Sequence, residues 1–138
     1  MKIITLAEVE YLSFAVAKEK LGFSEPIPDF STRRPNILES CLITPFQSFH
    51  GKTLYKGLLK KAAILFYLMI KDHPFQNGNK RIAITTLLLF IYKNNKWLKV
   101  DEKDLYNFTI WIAQSPAELK DETVLAIEKF IFKHLTKR

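Results

Sequence analysis

The sequence lacks several features that would place it in well-defined protein classes. Its single cysteine, Cys41, excludes an internal disulfide and a cysteine-rich zinc site. The longest apolar runs, AAILFYLMI and IAITTLLLFIY, are shorter than the roughly 20 residues that a membrane-spanning helix needs. The N-terminal segment carries acidic residues where a signal peptide has its apolar stretch, so no export signal is visible. These absences predict a cytoplasmic protein that does not enter a membrane.

The composition is that of a folded protein with an excess of positive charge. Of the 138 residues, 48% are hydrophobic and 13% aromatic, which argues against disorder and predicts one domain over residues 1–138. The formal net charge of +7 favours an anionic partner such as a nucleotide, a nucleic acid or an acidic protein. The sequence has no zinc-finger spacing, no aromatic RNA-binding signature and no clear helix-turn-helix. Nucleic acid is therefore the weaker choice.

Apolar residues recur at helical spacing along most of the chain, and the pattern predicts about six helices. The first begins at Thr5, where Glu8 completes a capping box, and ends near Gly22. An irregular loop follows. The later helices are expected over residues 36–43, from 53 or 54 to 72, 82–93, from a cap at Asp101, and after Ser115-Pro116. In the last of these, Glu118 stands in a capping-box position and Val124, Ile127, Ile131 and Leu135 form the apolar face. The helix over 82–93 is apolar nearly all round, which is typical of a helix at the centre of a domain.

The segment TPFQSFHGK, residues 44–52, interrupts the helical pattern. It is bounded by Pro45 and Gly51 and has no helical periodicity. The segment is either a short β-hairpin that turns at His50-Gly51 or an ordinary loop between helices.

The chemically richest stretch, KDHPFQNGNKRI, lies between the two longest apolar runs. His73 is a candidate general base, because imidazole has an unperturbed pKa of about 6.5. Gly78 allows a close backbone approach or a positive φ, while Asn79, Lys80 and Arg81 offer donors and positive charge to a phosphate. A helix follows at once, so the loop would deliver its amides to a helix N-terminus, which is an anion site. The alternative is a polar connection whose Lys80 and Arg81 are merely solvated.

The run from His73 to Arg81, HPFQNGNKR, resembles the core motif of the Fic/Doc (Fido) superfamily. Its GNKR ending is similar to the Doc branch, whereas the AMP-transferring Fic proteins carry GNGR. The resemblance extends from about Asn36 to Lys96 and implies an all-α, Fic/Doc-like bundle of about six helices with a short β-hairpin flap. In that family the flap, here residues 44–52, lines the groove for the target segment. The flap residues implied to contact the target are Phe46, Ser48, Phe49, His50 and Gly51.

The resemblance also implies a reaction. His73 would take a proton from a serine, threonine or tyrosine hydroxyl of a target protein, which then attacks a phosphorus atom of ATP. Gly78, Asn79, Lys80 and Arg81 would bind the nucleotide phosphates, with Mg²⁺ as cofactor. The target of the family's Doc member is elongation factor Tu. The sequence has no inhibitory-helix signature, so a separate antitoxin protein is the expected partner.

Departures from the AMP-transferase pattern leave three hypotheses open. Lys80 replaces a second glycine and Ile84 a second arginine, and both differences favour a Doc-like phosphotransferase toxin over a protein AMP transferase. Asn77 stands where the family usually has an acidic residue that helps to hold Mg²⁺, and a neutral amide is a weaker ligand. Asp72 either compensates or points elsewhere. The third hypothesis is therefore a catalytically silent binding module, and a nucleic-acid-binding helical protein is a distant fourth.

Overall fold

The computed structural model describes residues 1–18, 30–76 and 78–138. Within these ranges the chain forms six α-helices and two antiparallel sheets of two strands each. The helices are α1 (Leu6–Lys18), α2 (Pro35–Ile43), α3 (Gly57–Lys71), α4 (Asn79–Lys93), α5 (Glu102–Gln114) and α6 (Lys120–His134). The strand pairs are β1 (Ser48–Phe49) with β2 (Lys52–Thr53), and β3 (Lys96–Leu98) with β4 (Leu135–Lys137). The predicted all-α bundle with a β-hairpin is confirmed.

Helix α3 is the most enclosed element of the fold. Its residues 61–70, KAAILFYLMI, are all buried, and α2, α4, α5 and α6 pack against it. The expectation that α4 lies centrally is largely confirmed, because α4 packs against α1, α3, α5 and β3, although Leu88 and Leu89 are half-buried and Tyr92 is exposed. Within the described ranges, none of the helices is both long and apolar enough for a membrane crossing.

The capping box at the start of α1 is confirmed. The Thr5 N–H donates to the Glu8 carboxylate at 2.9 Å, and the Glu8 N–H donates to the Thr5 hydroxyl at 3.2 Å. These reciprocal bonds satisfy backbone donors that the first turn of a helix leaves without partners. The expected end of this helix at Gly22, and most of the loop after it, lie outside the described residues.

The predicted hairpin between α2 and α3 is confirmed but spans residues 48–53, because Thr44–Phe46 at the start of the predicted segment form a 3₁₀ turn. Phe49 pairs with Lys52, and the two residues between them, His50 and Gly51, have φ values of 51° and 75°. Positive φ at both central positions gives the turn the twist that a two-residue hairpin requires. Because Lys52 and Thr53 belong to β2, α3 begins at Gly57, later than the expected start at residue 53 or 54.

The C-terminal third departs from the sequence-based plan in three places. At the start of α5, Asp101 makes no side-chain capping bond. The capping box expected at Glu118 does not form, because a 3₁₀ turn precedes α6 and the Ser115 hydroxyl donates back to the Ile112 carbonyl at 2.6 Å. Leu135 lies in β4, opposite Leu98 of β3, and not on the face of α6. Strands of three residues are too short to show an alternating pattern, so this sheet was not predicted.

Candidate active site

Two residues with positive φ shape the loop between α3 and α4. Helix α3 ends at Lys71, and the Asp72 N–H closes its last turn by donating to the Leu68 carbonyl at 2.9 Å. His73 follows with φ 49°, a left-handed conformation that few non-glycine residues adopt. Gly78, with φ 71°, precedes the first residue of α4. This second turn explains the glycine, because a side chain at that φ would be strained.

The loop is closed on itself by one side chain. The Phe75 N–H donates to the Asn79 Oδ1 atom at 3.0 Å, and the Asn79 Nδ2 group donates to the Phe75 carbonyl at 2.9 Å. The Phe75 ring is buried and lies 6.1 Å from the ring of Phe30, so it anchors the loop in the core. Asn79 therefore shapes the loop, since both ends of its amide are bonded within it.

A second anchor connects the loop to α2. The Pro74 carbonyl accepts a hydrogen bond of 2.7 Å from the Arg34 N–H, immediately before the first residue of α2. Beside it, the guanidinium of Arg33 lies 4.3 Å from the centre of the Phe30 ring. The loop is thus held on one side by Asn79 and on the other by the start of α2.

His73 and the start of α4 share one cavity. The cavity has a volume of about 220 Å³ and is lined by Ile70, His73, Gln76, Gly78, Asn79, Lys80 and Ala113. Of the predicted site residues, the structure therefore brings His73, Gly78, Asn79 and Lys80 together. Arg81 is buried in the first turn of α4 and is not among the described residues that line the cavity.

Three lining residues were not predicted. Ile70 precedes the motif, Gln76 lies within it, and Ala113 comes from α5, about 40 positions along the chain. The Lys71 ammonium holds this wall by donating to the carbonyls of Ala113 and Ser115, at 3.2 and 2.5 Å. An alanine carries no chemical signal in a sequence, so only the packing of α5 against α3 could reveal its place.

The start of α4 carries positive charge where helices usually carry negative charge. Lys80 and Arg81 lie in its first turn, that turn holds no acidic residue, and no side chain caps the helix at Gly78. The helix dipole already places partial positive charge at this end. The cavity therefore faces the ammonium group of Lys80 and the positive end of the α4 dipole, and both favour a bound anion such as phosphate.

The nearby thiol is not a reactive group. Burial raises the pKa of Cys41 to about 12, and the negative charge of Asp72 adds to the effect. The same two causes, burial first and Asp72 second, raise the pKa of Tyr67. Both groups are therefore neutral near pH 7 and neither competes with His73 as a base.

Comparison with protein families agrees with this geometry. The Fic/DOC family model matches residues 5–91, which is more than half of the chain and includes α1, α2, α3, the loop and most of α4. The chain belongs to the Fic/Doc family. Members of this family are generally transferases. No curated protein and no solved structure matches the chain significantly.

The hairpin of this Fic/Doc protein is exposed at its tip. Phe49 is 64% exposed and its ring lies 4.1 Å from that of His50, while Ser48 and Gly51 are also exposed. Phe46, at the base, is half-buried against Phe90 of α4. None of these residues is among the described residues lining the His73 cavity. Contact of the flap with a target protein remains a prediction.

The described residues do not make a metal site by themselves. No group of three or more histidine, cysteine, aspartate or glutamate side chains is placed to hold an ion in the described part of the chain. Asn77, the predicted metal-binding position, lies outside the described residues. Asp72 is exposed and immediately precedes His73. The role of Mg²⁺ therefore stays a prediction from the motif.

Proposed function

We propose that this Fic/Doc protein is a Doc-like toxin that transfers the γ-phosphate of ATP to a hydroxyl side chain of a target protein. One observation carries the proposal: Lys80 lines the same cavity as His73, at the N-terminus of α4. A candidate base and a fixed cation thus face one space, beside the positive end of a helix.

The residues around Lys80 favour transfer of phosphate over transfer of AMP. A lysine side chain fills volume that the AMP-transferring relatives leave open with a glycine. Ile84 replaces their second arginine, and it lines a separate apolar cavity of about 330 Å³ with Leu88, Trp97 and Leu105. The site therefore offers one cationic contact from Lys80 and no second phosphate clamp at position 84.

The reaction is an in-line displacement at the γ-phosphorus. The target hydroxyl oxygen forms a bond to this atom, the bond to the oxygen that bridges the β- and γ-phosphates breaks, and ADP leaves with that oxygen. The hydroxyl proton passes to the imidazole of His73. Lys80 and the α4 amides attract the phosphate charge, and positioning of this kind supplies most of the acceleration in phosphoryl transfer.

Each loop residue has a separate role in this scheme. Asn79 holds the Phe75 turn, and Gly78 gives the backbone its left-handed turn at the start of α4. Arg81 is buried in the same helical turn and adds positive charge to the N-terminus of α4. ATP enters as its Mg²⁺ complex, and we assign no step to the ion.

The flap and the partners complete the proposal. The hairpin exposes both strands, so a target segment in extended conformation can add to its edge. Elongation factor Tu is the target to test first, because the family's Doc member acts on it. A separate antitoxin is the partner proposed to restrain the activity.

The deciding experiment incubates purified protein with a cell lysate, Mg²⁺ and ATP labelled at either the γ- or the α-phosphate. Label from γ-ATP alone, lost in His73→Ala, is the expected result. Label from α-ATP would instead assign AMP transfer and overturn the phosphotransferase proposal.

A second candidate, a silent binding module, is favoured by the neutral Asn77 and by the lack of an acidic cluster among the described residues. It predicts that ATP binds without any transfer from either label. Gain of transfer in Asn77→Asp would then identify the lost carboxylate as the cause.

A further inference from the structure

Helix α3 buries one charged residue within its apolar run. Lys61 is only 7% exposed, and it is flanked on α3 by buried alanine, isoleucine and leucine side chains. Lysine is almost never this buried unless its ammonium group has partners, because removal of the charge from water is costly. The partners of Lys61 therefore indicate why a lysine occupies this position.

Both partners of Lys61 flank the hairpin. Its ammonium group donates a hydrogen bond to the backbone carbonyl of Tyr55, two residues after β2, and lies 5.6 Å from the ring centre of Phe46, two residues before β1. Between these points the Leu54 N–H donates to the Gln47 carbonyl at 3.1 Å and closes the base of the hairpin. Lys61 thus contacts both limbs at the level where they meet the helical bundle.

The contact extends to the helix that carries the motif. Phe46 also contacts Phe90 of α4, whose ring meets it edge-on at a centroid distance of 6.1 Å. Phe90 is fully buried, so this side of Phe46 is fixed in the core. Phe46 therefore has both a cation on α3 and an aromatic ring on α4 as neighbours. The orientation of the hairpin relative to the two helices that frame the His73 loop depends on this arrangement.

We propose that Lys61 is a positioning residue that fixes the base of the hairpin and so sets how the flap presents its edge to the target protein. An apolar side chain of similar length would fill the space but would leave the Tyr55 carbonyl without its donor. Replacement of a buried charge by a hydrophobic residue often preserves overall stability. Loss of Lys61 is therefore expected to loosen the flap without unfolding the bundle. The effect on the target rests on the proposed function, whereas the effect on the hairpin does not.

Hydrogen–deuterium exchange tests the structural part without any assumption about activity. In Lys61→Met, we expect exchange at the Leu54 amide and at the hairpin amides to accelerate about tenfold, the loss of one charged hydrogen bond. Exchange at the α3 amides of residues 64–70 should stay unchanged. The matched control is Lys60→Met, which removes the same charge from the preceding position on α3. Lys60 is exposed, and its ammonium group lies 3.4 Å from the Glu128 carboxylate.

Two results would overturn the positioning role. One is unchanged hairpin exchange in Lys61→Met. The other is an equal acceleration across the hairpin and α3, which would make Lys61 an ordinary stabilising residue. If Lys61→Met does not fold, Phe46→Leu removes the other half of the arrangement while Lys61 stays in place. Selective acceleration at the hairpin amides is again expected, and its absence again overturns the proposal.

Transfer kinetics test the functional part. The assay uses γ-labelled ATP and the target protein that becomes labelled in the lysate. Lys61→Met should raise KM for this target about tenfold and leave kcat unchanged, because His73 and Lys80 are not disturbed. Lys61→Arg keeps a donor and a cation and should restore most of the affinity. A fall in kcat at constant KM would contradict the role. If the wild-type protein labels nothing, the proposed function fails, while the exchange measurements still decide the place of Lys61 in the flap.

Discussion

Helices α1 and α4 begin in opposite ways. At α1, Thr5 and Glu8 satisfy each other's backbone donors, and the Glu8 carboxylate adds negative charge to the positive end of the helix dipole. At α4, the cap position is Gly78, which offers no side chain, and the first turn holds Lys80 and Arg81. The first terminus is complete within the protein. The second is arranged for a negative charge that a ligand would supply.

The other end of α4 shows that this difference belongs to one terminus and not to the whole helix. The Lys93 ammonium donates to Glu8 at 2.7 Å and to the Ile3 carbonyl at 2.6 Å. Asn94 donates to the carbonyls of Phe90 and Lys2, at 2.8 and 3.1 Å. The C-terminus of α4 is therefore secured by cations and donors, as the dipole favours. Only its N-terminus departs from what stability alone would select, and it does so beside His73.

The largest effect is expected from His73→Asn. Asparagine tolerates the left-handed backbone of position 73 but cannot act as the base at neutral pH. Transfer should fall by about 100- to 10,000-fold, the usual contribution of a general base. The free energy of unfolding should change by less than about 0.5 kcal/mol. Activity from radiolabel and stability from urea unfolding measure the two quantities, and retained transfer would remove His73 from the mechanism.

Reversal of the charge at the start of α4 comes next. In Lys80→Glu, transfer should fall by about 10- to 100-fold, because a charged contact with the phosphates is lost. The ligand-free protein should become more stable, by about 0.3–1 kcal/mol, since an acidic side chain complements the dipole. Lys80→Gln is the neutral control, and its transfer rate and its stability should both lie between those of the wild type and Lys80→Glu. A Lys80→Glu protein that keeps its activity would show that this terminus does not bind the phosphates.

Removal of the cap at α1 should lower stability and leave transfer unchanged. Thr5→Ala removes the side-chain half of the capping box and should destabilise the protein by about 1 kcal/mol. For a domain of this size the melting temperature should fall by about 4 °C. Transfer per folded molecule should be unchanged, since Thr5 takes no part in the cavity. A loss of activity greater than the loss of folded protein would contradict the separation of the two termini.

The smallest expected effect is the contribution of Glu8 to stability at acidic pH. Burial by itself raises the pKa of Glu8, but the hydrogen bonds from Lys93 and Thr5 outweigh it and hold the pKa below its ordinary value of 4.5. The carboxylate therefore contributes stability that is complete above pH 4.5 and is lost as the pH falls through the lower, folded-state value. Glu8→Gln should flatten this acid limb of the stability curve. Glu10→Gln, on the same helix, is the control, and equal curves for Glu8→Gln and the wild type would refute the assignment.

Local signals in the sequence predicted the capping box, the hairpin and the loop that carries the motif. The capping box needed only Thr5 and Glu8 at the right spacing, and the hairpin needed only His50-Gly51 between two short runs. The motif predicted that His73, Gly78 and Lys80 lie together, because the loop and the start of the helix are contiguous in the chain. Where neighbours in sequence are neighbours in space, periodicity and turn chemistry are sufficient.

Contacts between distant segments could not be predicted in the same way. The wall of the cavity at Ala113 and the partners of Lys61 depend on how helices pack, and neither leaves a local pattern. The amide of Asn79 was expected to face the phosphates, whereas its bonds to Phe75 are made within the loop. The cap predicted at Asp101 shows the reverse problem, since a suitable residue stood at the position without making the bond.

The pairing of β3 with β4 has a consequence for synthesis of the chain on the ribosome. Leu98 is translated long before its partner Leu135, and at about 5–20 residues per second the interval is about 2–7 s. Throughout that time β3 cannot form its sheet, because β4 has not yet been made. A polypeptide interrupted between the two strands would carry the complete His73 motif on a helix that lacks one of its supports.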